Sequence, residues 1–322
     1  MCKKFQLPCT YMSTELAIMD LVSKLMPAIN DKKYAVCVFL DYSSAFDTLC
    51  RNRLLDKLDK YGIRGAGYNI LESYFEGRYQ SVSYDSHLSR RLYQNLGVVQ
   101  GSKLGPLLYD IYSNDFNFLC DDNECILYAD DTCLVFTGDN LMDMEQHINR
   151  KLIMVQSWCN NNKMALNASK SQFMLVTNRM VERYPSLLIG GNEISHVENF
   201  KYLGIMMDEK LKYHAQVNHI KSKLSSLCGV SFRLKNHFNF RCANNFYYAL
   251  VYSIVSYCIV VWGGVLECTH RGDGLERLYK RTVKNLFSKF YSQNLCTFKA
   301  AKVLKLEDIY KNIKLLFSCS ES

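Results

Sequence analysis

The sequence of 322 residues is long enough for two or three domains with hydrophobic cores of their own. Hydrophobic residues make up 48% and charged residues 22% of the chain, which excludes an intrinsically disordered protein. The 14 cysteines include no C-x-x-C pair and show no ligand spacing with the 7 histidines, so reduced thiols are expected rather than a disulfide or zinc framework.

Positive charge is concentrated towards the end of the chain, although the net charge of the whole is +8. Residues 200–322 carry 19 Lys and Arg against 8 Asp and Glu, whereas residues 1–199 carry 20 against 23. A basic region of this kind either lies against phosphate groups or forms solvated helix faces. The first residues contain no apolar core long enough for a signal peptide, so an intracellular protein is expected.

The first expected helix covers residues 13–26, where apolar residues recur in helical period. Ser13 or Thr14 is the expected N-cap, and Pro27 is expected to end the helix. These signals predict an amphipathic helix before the first strand.

A continuous apolar run at residues 36–40 is typical of a strand buried on both faces. The run ends in Asp41, which places a carboxylate at the end of a buried strand. The elements expected next, in chain order, are helices at residues 51–61 and 68–75 and a strand pair at residues 79–84 and 92–98.

A glycine turn is expected before a helix that begins near Leu104. Gly101 lets the backbone approach a substrate closely, and the N-terminus of the following helix favours negative charge. A simple turn before a helix gives the same pattern. Within the helix, Asp110 interrupts an apolar run and destabilises the fold if that face is buried and the carboxylate has no partner.

Two apolar runs, residues 125–127 and 132–136, predict a hairpin that carries Asp130 and Asp131 at its tip. An Asp pair in a surface turn is commonly only a turn. Two adjacent carboxylates repel each other, however, and a divalent cation with oxygen ligands, Mg²⁺ or Mn²⁺, relieves that repulsion. Together with Asp41 they form a three-carboxylate site able to hold two metals about 4 Å apart, which suits in-line displacement at phosphorus.

A long amphipathic helix is expected at residues 140–162, with His147 at its surface or edge. From about residue 212 the pattern turns helical, which predicts two domains, residues 1–211 and 212–322. The other expected elements, in chain order, are strands at residues 172–177 and 185–189, a hairpin at residues 200–211, and basic amphipathic helices at residues 275–290 and 304–317.

Residues 246–266 contain no charged residue across 21 positions, which is long enough for a membrane span. The stretch is rich in Tyr and Ser, and no second span accompanies it. A buried helical segment is therefore expected, with a membrane-anchored protein as the alternative.

Five segments occur in the same order as in non-LTR (LINE-type) retrotransposon reverse transcriptases, and the chain resembles that family over roughly residues 12–290. The segments are F-L-D-Y-S-S-A-F-D at residues 39–47, similar to the first palm motif; G-V-V-Q-G-S-K-L-G-P-L-L at 97–108; Y-A-D-D at 128–131; L-N-A-S-K-S at 166–171; and F-K-Y-L-G-I at 200–205, similar to the primer grip.

The resemblance implies an α+β palm with partial fingers, followed by a mainly helical, thumb-like region. It also implies RNA-directed DNA polymerase activity, with an RNA template, a DNA primer and deoxynucleoside triphosphates as partners and the nucleus as the site of action. The family has fingers strands before residue 13 and an arginine where this sequence has Cys9, so an N-terminally truncated member without an endonuclease domain is expected.

The resemblance further implies roles for individual residues. Asp41 and Asp130 would be the principal metal ligands, with Asp131 as a supporting carboxylate. Lys170 would neutralise or protonate the leaving pyrophosphate.

Three further residues are implied in nucleotide binding. Phe46 would lie under the sugar and clash with a 2′-hydroxyl, although without the motif core packing is the commoner role of such a residue. Gln100 and Gly101 would contact the nucleotide and the template base. The residues implied in the primer grip are Tyr202, Leu203 and Gly204.

A second functional class is a retroelement fragment that binds RNA or an RNA–DNA hybrid with little or no catalysis. The complete set of carboxylates favours the enzyme, whereas the expected lack of fingers strands favours the binding fragment.

Overall fold

The computed structural model describes residues 13–99, 101–121, 124–267, 273–290 and 297–320. These residues form a mixed structure of helices and mainly antiparallel strands, which confirms the predicted α+β class. The contacts divide the chain into two compact units, Met1–Val197 and Glu198–Ser322. The domain boundary expected between residues 211 and 212 rests on the change to a helical pattern there and stays a prediction.

The first unit combines one larger sheet, three two-stranded sheets and helices that cover them. Its helices are α1 (Thr14–Asn30), α2 (Ala45–Thr48), α3 (Arg51–Lys60), α4 (Ala66–Phe75), α5 (Leu104–Ser113), a 3-10 helix (Asn114–Leu119) and α6 (Leu141–Asn161). Its strands are β1 (Tyr34–Leu40), β2 (Tyr79–Gln80), β3 (Ser83–Tyr84), β4 (His87–Leu88), β5 (Leu92–Tyr93), β6 (Cys125–Tyr128), β7 (Asp131–Gly138), β8 (Gln172–Val176), β9 (Leu188–Ile189), β10 (Asn192–Glu193) and β11 (Ser195–His196).

The larger sheet has five strands in the order β11-β8-β1-β7-β6, with β1 at its centre. β1 is antiparallel to both neighbours, and β11 runs parallel to β8. β1 is buried almost throughout, as its apolar sequence predicts. Val36, Val38 and Leu40 belong to the core shared with α3, α5 and α6, whereas α1 packs against β1, β6 and β7.

The second unit is mainly helical, as expected from about residue 212. α7 packs along α11, whose buried residues recur at helical spacing. The elements of this unit are β12 (Asn199–Tyr202), β13 (Ile205–Asp208), α7 (His214–Leu234), α8 (Phe240–Phe246), a π-helix (Tyr247–Tyr252), α9 (Ser253–Ser256), α10 (Ile259–Trp262), a 3-10 helix (Gly263–Glu267), α11 (Asp273–Phe287), a 3-10 helix (Ser288–Phe290), α12 (Thr297–Ala301) and α13 (Leu306–Ser320).

The uncharged stretch at residues 246–266 is broken rather than one straight helix. Cys258 adopts a left-handed backbone (φ 49°) between α9 and α10, and Val251, Val255 and Trp262 are buried inside the unit. Among the described residues, no single helix has the length and apolar character to cross a membrane; only the pair Phe240–Ser256 and Ile259–Leu266, bent by 50°, has them jointly.

The N-terminal helix extends beyond the end predicted for it. Ser13 caps α1 as expected, because its hydroxyl accepts a hydrogen bond from the Leu16 N–H. The expectation that Pro27 ends the helix is wrong, since α1 continues to Asn30. Proline removes one N–H donor from the helix, but the burial of Leu25 and Ala28 anchors the last turn and offsets that loss.

The strand pair expected at residues 79–84 and 92–98 is confirmed only in part. β2 pairs with β5, whereas β3 pairs with β4 across a tight turn at Asp85 and Ser86, both with positive φ. Residues 94–98 do not continue the ladder. The buried guanidinium of Arg51 instead donates hydrogen bonds to the carbonyl groups of three of them, Gln94, Leu96 and Gly97.

Asp110 lies in α5 on a face that is buried, with only 7% of the residue exposed. Burial raises the pKa of its carboxyl group to about 6. The folded protein therefore keeps this carboxyl group protonated below about pH 6, whereas the unfolded chain ionises near pH 4.

We predict that Asp110→Asn is more stable than the natural chain at pH 7 by about 1–2 kcal/mol. Between about pH 4 and 6 the folded state binds more protons at this site than the unfolded state, so the stability of the natural chain falls as the pH rises. The advantage of the variant should disappear near pH 4. Urea denaturation at several pH values measures this difference.

The control for this prediction is Asp56→Asn, which removes an exposed carboxylate from α3. Its free energy of unfolding, relative to that of the natural chain, should not increase with pH. An Asp110→Asn variant whose stability follows that of the natural chain at every pH would contradict the proposed cost of burying this carboxylate.

Candidate active site

The three carboxylates singled out in the sequence lie at one end of the five-stranded sheet. β1 ends at Leu40, which pairs with Thr132 of β7 in antiparallel register. The next residues along the ladder are Asp41 and Asp131, so their backbones are neighbours. Asp130 belongs to the turn that precedes β7. The fold thus brings Asp41, Asp130 and Asp131 together, as the sequence predicted.

The turn between β6 and β7 has only two residues, Ala129 and Asp130, because Tyr128 pairs with Asp131. Ala129 adopts a left-handed backbone with φ 52°. A residue with a side chain is strained in that region by about 1–2 kcal/mol. The strained turn leaves Asp130 exposed at the tip of the hairpin.

The electrostatics of this edge favour a bound cation. Partial burial of its carboxyl group, followed by the charges of Asp130 and Asp41, raises the pKa of Asp131. Mutual repulsion therefore opposes the fully ionised state of the three groups. Oxygen-only donors with this surplus of negative charge fit a hard divalent cation.

The segment at residues 165–171 is hydrogen-bonded to the chain just after β1. The Asp41 N–H donates to the Ser171 hydroxyl (3.1 Å), and the Asp41 carbonyl accepts from the Asn167 N–H (2.8 Å). The Ser43 N–H donates to the Ala165 carbonyl (2.8 Å). These contacts bring Lys170, whose side chain is exposed, to the same end of the sheet as Asp41.

Phe46 follows β1 in α2 and forms an aromatic stack with Tyr109 of α5. The ring centroids are 4.5 Å apart, and the planes are inclined by 24°. Tyr109 is buried, and burial followed by the charge of Asp130 raises the pKa of its hydroxyl. Tyr109 was not predicted as part of the site, and its only signal in the sequence is an aromatic residue in the apolar helix after the glycine turn.

Gly97 holds the segment before α5 against the turn that carries Phe46. Its φ is 74°, and a Cβ atom added there would lie 2.6 Å from the carbonyl oxygen of Asp47. The Val98 N–H donates to the Phe46 carbonyl (3.0 Å), and the Gly97 N–H donates to the Leu49 carbonyl (2.8 Å). Only glycine permits this approach of the two segments.

Of the two nucleotide-site residues predicted after Val99, only Gly101 is among the described residues. Gly101 also has a positive φ of 76°, but it is exposed, and a Cβ atom there would meet no atom within 4 Å. Gln100 lies outside the described residues. At the start of α5 the Ser102 hydroxyl accepts hydrogen bonds from the Tyr74 hydroxyl (2.8 Å) and the Gly105 N–H (3.0 Å).

The predicted primer-grip residues belong to the second unit. Leu203 and Gly204 form the two-residue turn between β12 and β13, with φ values of 44° and 88°. The Tyr257 hydroxyl donates to the Leu203 carbonyl, and the Tyr257 ring lies against Gly204. Tyr202 precedes the turn and is buried.

A second group of metal-ligand side chains lies beside the open end of the β6–β7 hairpin, on the segment before β6 and on α6. Ligand atoms of Asp121, Glu124 and His147 lie within 4.8 Å of one another. The Glu124 carbonyl accepts from the Val135 N–H, so the group adjoins the end of the hairpin away from Asp130. The Lys151 ammonium contacts Asp121 (2.8 Å) and Glu124 (3.1 Å) and already offsets part of their negative charge.

A family model and the sequences of known relatives both match this chain. The family model described as "Reverse transcriptase (RNA-dependent DNA polymerase)" matches residues 7–207. The "RNA-directed DNA polymerase from mobile element jockey" of Drosophila melanogaster is 27% identical over 304 residues, which cover 91% of this chain and 33% of that protein. The "Probable RNA-directed DNA polymerase from transposon X-element" of the same species is 29% identical over 208 residues, which cover 63% of this chain and 23% of the relative.

Among solved structures, telomerase from Candida albicans in complex with a fragment of telomeric RNA is similar to this chain. The TM-score is 0.46 and the identity 14%, over 92% of this chain and 55% of the telomerase chain. The present chain spans about a third of the length of the jockey relative.

We predict that Gly97→Ala destabilises the first unit by about 3 kcal/mol or more, since the methyl group meets the Asp47 carbonyl and φ is unfavourable. Gly101→Ala has the same unfavourable φ but open space, and should cost only about 1–2 kcal/mol. Urea denaturation of the two variants measures the difference. Equal losses would show that the close approach at Gly97 contributes nothing.

Proposed function

The chain belongs to the reverse transcriptase (RNA-dependent DNA polymerase) family, and we propose that it catalyses RNA-templated DNA synthesis. In this reaction the 3′-hydroxyl of a DNA primer attacks the α-phosphate of a deoxynucleoside triphosphate. An O–P bond to the primer forms while the bond to pyrophosphate breaks. The observation that supports the proposal is the convergence of Asp41, Asp130 and Asp131 at one edge of the sheet.

We propose Asp41 and Asp130 as the principal ligands of the divalent cation that the family uses, with Asp131 in support. The oxygen-only donors favour Mg²⁺, with Mn²⁺ as its close substitute. The bound cation would supply neutralisation of the triphosphate and activation of the attacking hydroxyl. The chain itself contributes the preorganised carboxylates, whose repulsion is already overcome by folding.

Lys170 is the proposed acid towards the leaving pyrophosphate. An ammonium group neutralises part of the charge that develops on the leaving oxygen and donates a proton to it. This role is supported by the hydrogen bonds that fix Asn167 and Ser171 to the backbone of Asp41. Lys170 lies between those two residues and is exposed.

Phe46 is the proposed barrier to ribonucleotides. Its ring is stacked on Tyr109 and cannot move away without giving up that stacking, so a 2′-hydroxyl placed against it would clash. Gln100 and Gly101 are proposed to contact the nucleotide. The open space around Gly101 and the N-terminus of α5 beyond it suit an approaching phosphate group.

Template and primer are proposed to contact the basic second unit as well as the first. Helix α11 buries an apolar face and exposes basic residues on the other, an arrangement suited to phosphates. The exposed basic residues of α11 are Arg277, Lys280, Arg281 and Lys284. Tyr202, Leu203 and Gly204 are proposed to hold the primer terminus, and the nucleus is the proposed site of action.

Binding of nucleic acid without catalysis is the less favoured function. A surface that only binds phosphates gains nothing from three mutually repelling carboxylates at the end of a sheet.

We predict that Asp41→Asn or Asp130→Asn lowers primer extension on an RNA template by at least about 10³-fold, because one ligand of the metal site is removed. The free energy of unfolding should stay the same or rise, since a repelling charge is removed. Single-turnover extension with Mg²⁺ and urea denaturation measure the two effects.

Asp143→Asn is the control for the metal ligands, since it removes an exposed carboxylate at the start of α6. It should extend primers like the natural chain. Unchanged extension in both Asp41→Asn and Asp130→Asn would rule out the site.

We predict that Phe46→Val raises the incorporation of ribonucleotides relative to deoxynucleotides by at least about tenfold, because the smaller side chain leaves room for the 2′-hydroxyl. The ratio of kcat/KM values for a matched nucleotide pair is the measurement. Phe118→Val, which shortens an exposed aromatic residue elsewhere in the first unit, should leave the ratio unchanged. Retained activity with unaltered selectivity would make Phe46 a packing residue only.

A further inference from the structure

Residues 78–94 form an exposed hairpin, here called the arginine–tyrosine hairpin, to which the proposed catalysis assigns no role. β2 pairs with β5 at its base, and β3 pairs with β4 towards its tip. Every residue from 79 to 93 is exposed. Backbone pairing thus holds the hairpin in shape, while its side chains are left to solvent.

Large apolar side chains are unusually common on this hairpin. Tyr79 and Tyr93 remain 55% and 57% exposed, although each is large enough to form part of a core. Clusters of exposed apolar groups on a soluble chain commonly mark an interaction surface. The other large exposed side chains of the hairpin are Val82, Tyr84, Leu88 and Leu92.

Three of the exposed side chains form a cluster in which the two tyrosine rings meet edge to face. Tyr79 and Tyr93 are directly opposite in the β2–β5 pair, with ring centroids 5.4 Å apart and planes inclined by 67°. Arg91 lies two residues before Tyr93 and therefore on the same face. Its guanidinium carbon is 5.2 Å from the centroid of the Tyr79 ring. Two aromatic rings and a guanidinium group are thus exposed to solvent side by side.

The charge of the hairpin is positive. Arg78, Arg90 and Arg91 stand against a single acidic residue, Asp85. Within the part of the chain that the structure describes, none of these arginines forms an ion pair with a carboxylate. Their charges are therefore available to an anionic ligand.

The base of the hairpin opens into a cavity of about 700 Å³. Arg78 and Tyr79 line it from the hairpin, and Asp47, Val98 and Val99 line it from the segments that carry Phe46 and the predicted nucleotide-site turn. The cluster is therefore continuous with the surface beside the proposed site.

We propose that the arginine–tyrosine hairpin binds single-stranded nucleic acid, with bases stacked on Tyr79 and Tyr93 and phosphates held by the arginines. Aromatic rings accept the faces of unpaired bases, which a duplex hides within its own stack, and arginine adds charge and stacking. The identity of the strand as the unpaired template rests on the proposed function. The binding itself does not.

The test is fluorescence anisotropy with the full chain and a labelled, unstructured RNA of about 12 nucleotides, without deoxynucleotides. Tyr79→Ala combined with Tyr93→Ala should weaken binding by about tenfold or more. Tyr79→Phe combined with Tyr93→Phe should bind like the natural chain, because the rings are kept. Phe118→Ala, which removes an exposed ring outside the hairpin, should also leave the affinity unchanged.

A salt titration tests the arginines separately. Arg90→Ala combined with Arg91→Ala should reduce the slope of log affinity against log salt by about 0.7 for each phosphate group that the arginines no longer bind. The control is Arg150→Ala, which removes an exposed arginine of α6 and should leave the slope unchanged. Any contribution of the basic second unit is common to all these variants and cancels in the comparison.

Two outcomes would overturn the inference. One is equal affinity for the single strand in the natural chain and in the Tyr→Ala pair. The other is sedimentation showing that the natural chain self-associates and that the Tyr→Ala pair is monomeric with unchanged RNA affinity, which would assign the hairpin to a contact between copies.

Failure of the proposed polymerase function gives a different result. The binding assay is repeated with Asp130→Asn, which cannot extend a primer if the proposal is correct. Tyrosine-dependent binding in a natural chain that extends no primer would support the hairpin inference and reject the polymerase. Primer extension by the natural chain, combined with RNA binding that does not depend on the two tyrosines, would support the polymerase and reject the hairpin inference.

Discussion

The register between β1 and β7 is the constraint on which the proposed site depends. Leu40 opposite Thr132 makes Asp41 and Asp131 neighbours, and the two-residue turn then presents Asp130 beside them. Side chains alternate along a strand, so a slip by one residue would exchange the side chains that β1 presents to the two layers that cover it. The burial of β1 resists such a slip, and it thereby keeps the three carboxylates at one edge of the sheet. Burial of its carboxyl group, followed by the charges of Asp130 and Asp41, raises the pKa of Asp131 there.

The segments around the carboxylates are attached through the backbone. Asp41 is fixed by its own N–H and carbonyl groups, which bond Ser171 and Asn167, and the turn at Phe46 is fixed by a carbonyl bonded to Val98. Backbone attachment positions a residue without engaging the side chain that is to react. It also depends on close approach, which explains why Gly97 cannot be replaced without displacing its neighbours.

The sequence predicted those features that short patterns encode. The buried strand before Asp41, the hairpin that carries Asp130 and the long helix α6 all have strong local signals, and the structure contains each. The missed features depend on contacts distant in sequence. Arg51 gives no sign that its guanidinium binds carbonyl groups more than 40 residues away, yet that contact replaces the expected strand after Tyr93. Pro27 carries a strong stop signal that tertiary burial overrides.

Net charge is a poor guide to where nucleic acid is proposed to contact this chain. Residues 1–199 are slightly acidic as a whole, yet they contain both the carboxylate edge and the arginine–tyrosine hairpin. Salt screens charges over about 8 Å at physiological ionic strength. A segment as short as the eight residues from Arg78 to Asp85 can span up to roughly 25 Å when extended, so charges at its two ends can be screened from each other. A phosphate beside the hairpin therefore experiences the nearby arginines rather than the average of the domain. The same screening leaves the carboxylate edge negative, so one unit can attract a cation at one place and a polyanion at another.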